Sequence, residues 1–171
     1  MKKYEFTGET KEIRLLFRTA TLHRIRATVA FGIVEVGDLG GWIEKEENLS
    51  HEGKAWVCGD AEVWGNAEVC GDAEVCGDAK VWGNAKVFSA SHVLVIGAIG
   101  SRNDFTTFYR DKDNEITVKC GCFLGKIDRF LEKVTQTHGD SKYALVYRAA
   151  VEVAKLQIDL SGEAPKDADE E

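Results

Sequence analysis

From Ala55 to Ile96 the apolar and polar positions follow a six-residue template. Read in sixes, the chain is AWVCGD, AEVWGN, AEVCGD, AEVCGD, AKVWGN, AKVFSA and SHVLVI, or Ala-x-Val-x-Gly-Asp/Asn decaying only in the last two units. Alternation within a hexad points Ala and Val one way and the two x residues the other. The Gly-Asp or Gly-Asn pair supplies a corner, because these residues tolerate positive φ. So short a fixed period predicts a solenoid, whose units bury their apolar faces only by stacking on their neighbours. Three hexads make an 18-residue coil, with the valines from Val57 to Val93 stacked inside and the alanines from Ala61 to Ala85 beside the corners.

The outward positions give this expectation a register. Residues 18 apart should stack roughly 4.8 Å apart across a parallel ladder. Glu62 then lies over Lys80, Glu68 over Lys86, Trp64 over Trp82, Cys70 over Phe88, and Cys58 over Cys76 and Leu94. The tryptophan column calls for a cover, a helix or a neighbouring subunit, with ligand stacking as the alternative. The coil geometry resembles the left-handed parallel β-helix of hexapeptide-repeat proteins. The expected fold class is mainly β: that helix, an N-terminal β cap, and a C-terminal β-hairpin plus two α-helices.

The flanks carry other periods. Strand-like runs at Glu12–Phe17 and Leu22–Arg26 and the stretch Gly37–Ile43 make residues 1–54 a cap and first irregular coil, counted back 18 from Val57 and Ala61 to Leu39 and Ile43. Residues 55–99 are the repeat segment. In residues 100–160, Phe105–Arg110 and Ile116–Cys120 flank the turn cluster Asp111–Asn114 and predict a hairpin, followed by a loop over Cys120–Gly125. Ile127, Phe130, Leu131 and Val134 recur at helical spacing, and a second, more uniformly apolar helix runs from about Ser141 to Ile158. It is expected to lie between the repeat segment and another subunit. Residues 161–171 read as a disordered acidic tail, with five acids against one lysine from Glu163 to Glu171.

Composition narrows the classes. The net charge is −7 and no basic stripe exists to track a nucleic-acid duplex. No apolar run approaches the roughly 20 residues of a membrane span, and no leader precedes the first strand, so the expected location is the cytoplasm of a host cell. Five cysteines without a spaced framework suit reduced thiols.

Leu22–Arg26, Gly37–Glu44, Asn48–Ser50, Gly100–Asn103, Thr106–Tyr109, Gly121–Phe123 and Thr137–Asp140 occur in an order that resembles a family of small phage and prophage proteins of the hexapeptide-repeat superfamily. The resemblance spans about residues 4–158. It implies a phage-encoded β-helix with a C-terminal helical cap, and it carries no established activity.

The chemistry is therefore read from residues. Ser101, Arg102, Asn103, Thr106, Thr107, Tyr109, Arg110, Lys126 and His138 form a polar set rich in hydroxyl, amide and cationic donors and poor in acids. Such donors suit a phosphate or carboxylate, with arginine as the bidentate partner. Phe105, Phe108 and Tyr109 could stack a base. The competing reading is a hydrogen-bonded corner that fastens the helices to the last coil. His92 or His138 could serve an acyltransferase, but no nucleophile–base pair is recognisable, so no catalytic residue is assigned. Cys120-x-Cys122 with His138 lacks zinc spacing and a fourth ligand, so neither a metal nor a cofactor is expected. The functional expectation is a non-enzymatic, anti-defence binding protein. It would form a homotrimer or a dimer of trimers, and sequester a small anionic, nucleotide-derived signal at a subunit boundary. The alternatives are an acyltransferase and a scaffold for a host or virion protein.

Overall fold

The structure, a computed structural model, describes residues 1–15 and 17–162. The acidic tail expected from 161 onward thus lies, from 163, outside the described residues. Two long strands, β1 (Tyr4–Arg14) and β2 (Thr19–Ala27), form an antiparallel hairpin, and β2 pairs antiparallel with β3 (Leu39–Ile43). The hexads supply six two-residue strands: β4 (Trp56–Val57), β5 (Glu62–Val63), β6 (Glu68–Val69), β7 (Glu74–Val75), β8 (Lys80–Val81) and β9 (Lys86–Val87). These pair in parallel, β4 with β7, β5 with β8 and β6 with β9, each across 18 residues. Corner glycines from Gly59 to Gly83 hold φ between 63° and 74°.

The expected fold class is corrected by the sheet order. The strands form a mixed five-stranded sheet, β1-β2-β3-β5-β8, two separate two-stranded ladders, and a four-stranded antiparallel sheet. That last sheet comprises β10 (Val93–Ile99), β11 (Asp104–Arg110), β12 (Ile116–Cys120) and β13 (Phe123–Lys126). A left-handed parallel β-helix does not describe this arrangement, because most of the strand length is antiparallel. The reason is local: the long runs at both ends are joined by short turns, which only antiparallel partners can use. The last hexad is drawn into β10, so Leu94 faces Phe108 instead of stacking on Cys76. The expected hairpin is the centre of the four-stranded sheet, and the expected loop at Cys120–Gly125 includes the start of β13. Nor does counting back 18 residues hold at the N-terminal end. Trp42 pairs with Glu62 and Ile43 with Val63, an offset of 20, which leaves Leu39 exposed.

Val57, Val63, Val69, Val75, Val81 and Val87 are all fully buried, together with the alanines beside the corners. Tyr4, Ile25, Ile43 and Leu49 complete that core. A second core joins the antiparallel sheet to α1 (Ile127–His138) and α2 (Lys142–Gln157). Tyr109 ties the two cores together, its hydroxyl donating to Trp82 O at 2.7 Å. In the tryptophan column, Trp64 is covered by the chain's own N-terminal strands, and Trp82 is partly buried beside it. Trp64 is 2% exposed, packs with Leu22 and Trp42, and stacks on Trp82 with centroids 5.8 Å apart. Lys86 pairs with Glu68, whereas Glu62 takes Lys11 (2.8 Å) in place of Lys80. Cys58 and Cys76 stack on each other at the end of the β4–β7 ladder, their Cα atoms 4.6 Å apart, as the 18-residue register predicts. Among the described residues no helix is long and apolar enough to cross a membrane.

Candidate ligand-binding site

The nine polar residues singled out in the sequence part into three groups. Ser101, Arg102 and Asn103 are exposed on the turn between β10 and β11, closed by Asn103 N donating to Gly100 O (3.2 Å). Thr106, Thr107 and Tyr109 are buried on β11 and act as fasteners. The Thr106 hydroxyl donates to Cys120 Sγ (3.3 Å), and that of Thr107 accepts from Lys80 N (3.0 Å). Arg110 is 3% exposed, lies over the Phe88 ring, donates to Ser161 O and Gly162 O, and sits 3.3 Å from His92 Nε2. It anchors the chain that leaves α2.

Lys126 is also committed to structure. Its ammonium pairs with Asp111 (2.5 Å), Glu115 (2.6 Å) and Asp113 (3.8 Å). Burial alone would raise the Asp111 carboxyl, but Lys126, Thr117 and two backbone N–H groups outweigh it and hold the carboxyl low. Those three acids are the one set of metal-type ligands that converge within 4.8 Å among the described residues, and a lysine already bridges them. Cys120, Cys122 and His138 line a common cleft without meeting in that way.

That cleft, of about 250 Å³, is where the remaining residues meet. Ser101 and Arg102 come from the β10–β11 turn, Cys120 to Phe123 from the β12–β13 turn, Phe130 to His138 from α1, and Tyr147 from α2. Phe130 forms the floor, its ring edge-on to Tyr147 (5.6 Å) and 5.3 Å from Phe123. His138 stacks on Tyr147 (5.7 Å). Burial pushes the Tyr147 phenol up to about 12, so it remains a hydrogen-bond donor at neutral pH. Gly100 makes this packing possible. A Cβ there would lie 1.9 Å from the Tyr147 hydroxyl, and its φ of +76° favours glycine.

The side chains of Arg102 and Lys133 line the cleft without a hydrogen bond or ion pair to any described residue. Asp104 is the one acid in the wall, and it already accepts from Phe105 N (2.7 Å). The cleft therefore offers two free cations, hydroxyls from Ser101, Thr137 and Tyr147, and an aromatic floor. Lys133, Thr137 and Tyr147 escaped the sequence reading. A signal was present: Phe130, Lys133, Val134 and Thr137 share the i, i+3, i+4, i+7 face that was read only for its apolar members.

His92, a candidate base in the sequence, is 2% exposed. Its Nδ1 accepts from Phe88 N, and burial and then Arg110 push its pKa down. It is a neutral corner residue with no opening to a substrate. No family model matches the chain, and no curated protein does either.

Proposed function

We propose that the chain is a non-enzymatic binding protein that captures a small anionic, nucleotide-derived ligand in the cleft between the β10–β11 turn and α1. One observation carries this reading: Arg102 and Lys133 stand unpaired beside an aromatic floor. Two such cations hold an anion by charge-assisted hydrogen bonds, and Arg102 can grip a phosphate with two parallel donors. Phe123, Phe130 and Tyr147 provide faces for a base. The volume lies below the roughly 300–1,000 Å³ typical of drug-sized sites, and so suits one ring and one phosphate. The exposed apolar residues of α2, Leu145, Val153 and Leu156, favour a homo-oligomer, a trimer or dimer of trimers, with the cleft near its subunit boundary. In a phage setting, capture alone would neutralise a host signal.

Isothermal titration with adenosine, guanosine and uridine 5′-monophosphates tests the proposal, with light scattering to report the oligomer. At least one nucleotide should bind. Arg102→Ala should weaken it about tenfold or more, the worth of a lost charge-assisted contact. Retention of full affinity by Arg102→Ala and Lys133→Ala would remove the cleft as the site.

A further inference from the structure

A second cavity, of about 200 Å³, shares Asp104 and Gly121 with the first. It is built where all three parts of the chain meet. Arg14 comes from β1, Trp64 follows β5, Lys80 belongs to β8 and Lys119 to β12. The acids in its wall are largely occupied: Glu62 pairs with Lys11 at 2.8 Å, and Asp104 accepts from Phe105 N. The side chains of Arg14 and Lys80 make no hydrogen bond or ion pair with a described residue, and Lys119 donates only to Gly121 O. Trp64, 2% exposed, lines the same cavity, and its indole N–H has no acceptor among the described residues.

We propose that this cavity is a second anion subsite, continuous with the first, so that the ligand carries two phosphate groups on a single nucleotide-sized frame. The inference rests on the nucleotide reading of the first cleft and names its substrate class more closely. An anion between Lys80 and Lys119 relieves the repulsion between two neighbouring cations, which Asp104 only partly offsets. Burial, and after it the charge of Lys80, pushes the Lys119 ammonium down despite the opposing pull of Asp104. The shared Asp104–Gly121 wall puts the two subsites within reach of one molecule. Its single acid disfavours a continuous run of charge and favours two separated phosphates.

The full-length protein is titrated with adenosine 5′-monophosphate, adenosine 3′,5′-bisphosphate and inorganic pyrophosphate. Thermal midpoints are recorded for each variant to show that it folds. The bisphosphate should bind at least about tenfold more tightly than the monophosphate. Lys80→Gln, at an exposed strand position, should abolish that gain and leave monophosphate affinity unchanged, and Lys119→Gln should do the same. Arg102→Ala should weaken both nucleotides. A bisphosphate that binds no better than the monophosphate, or a gain that survives both lysine variants, overturns the second subsite and leaves the first standing. Binding of pyrophosphate that depends on Lys80 with no uptake of either nucleotide overturns the nucleotide reading and the two-subsite ligand, while keeping an anion site at Lys80. No binding of any probe overturns both.

Discussion

Asn48 offers the sharpest test of how the repeat segment is closed. Its side chain is fully buried and makes three hydrogen bonds. Nδ2 donates to Ala67 O (2.8 Å) and Gly65 O (3.2 Å), and Oδ1 accepts from Lys45 N (2.9 Å). One side chain thus holds the chain that follows β3 against a hexad corner. Asn48→Ala leaves Ala67 O buried without that partner, at about 1–3 kcal/mol, and removes two part-buried bonds worth about 0.5–1.5 kcal/mol each. The sum, about 2–6 kcal/mol, is a large fraction of the roughly 5–15 kcal/mol that holds a domain together. At about 2–4 °C per kcal/mol for a chain of this size, the thermal midpoint should fall by roughly 4–24 °C. Urea and thermal unfolding followed by circular dichroism read both quantities. Asn48→Asp should be nearly as costly, because a carboxylate cannot donate to the two carbonyls. Asn66→Ala, at an exposed corner, is the control and should stay within about 0.5 kcal/mol. If Asn48→Ala behaved like Asn66→Ala, the claim that this amide closes the segment would be wrong.

Two further outcomes are expected. Trp64→Ala should destabilise the protein by about 3–5 kcal/mol, because it empties the space between the N-terminal hairpin and Trp82; a loss below about 1 kcal/mol in urea would show that the hairpin is not held by this residue. Glu44 gives an acid dependence. Arg18 hydrogen-bonds its carboxylate (Nη2–Oε2 3.0 Å), outweighing partial burial, and Gly65 N–H adds a bond at 2.8 Å, so its pKa lies below the ordinary 4.5. A carboxyl with a lowered folded pKa contributes stability that is fully present above its unfolded value and is lost as pH falls through the folded value. Glu44→Gln should therefore flatten the urea midpoint between pH 5 and 3 relative to the native chain; an unchanged acid slope would assign that loss to other carboxylates, Asp111 first.

The cleft and the fold were legible to different depths. Helix α1 was legible as a helix, because Ile127, Phe130, Leu131 and Val134 carry a complete local period. The turn at Asp111–Asn114 was equally plain, but not that Asp111 would gather Lys126 and Thr117 and so remove Lys126 from any binding role. Arg102 stood out because a glycine-flanked polar turn is expected to be exposed, whereas Lys133, which lines the same cleft, lies 31 residues away on a helix. Nothing local marks two cations as neighbours when separate elements bring them together.

By itself the sequence determined which side chains face inward. A six-residue period places Val and Ala on one side wherever it persists, and it sets the 18-residue pairing of Glu68 with Lys86. Only the tertiary structure decided where that period stops mattering. Val93–Ile99 continues the last, decayed hexad, yet it pairs antiparallel with β11, since a short turn makes that partner immediately available. The tryptophans were likewise ambiguous, because exposure depends on what folds over them, and the N-terminal hairpin is joined to them by no local pattern. Periodicity is a property of neighbours along the chain. Cover, cleft and sheet order are set by contacts between residues far apart in it.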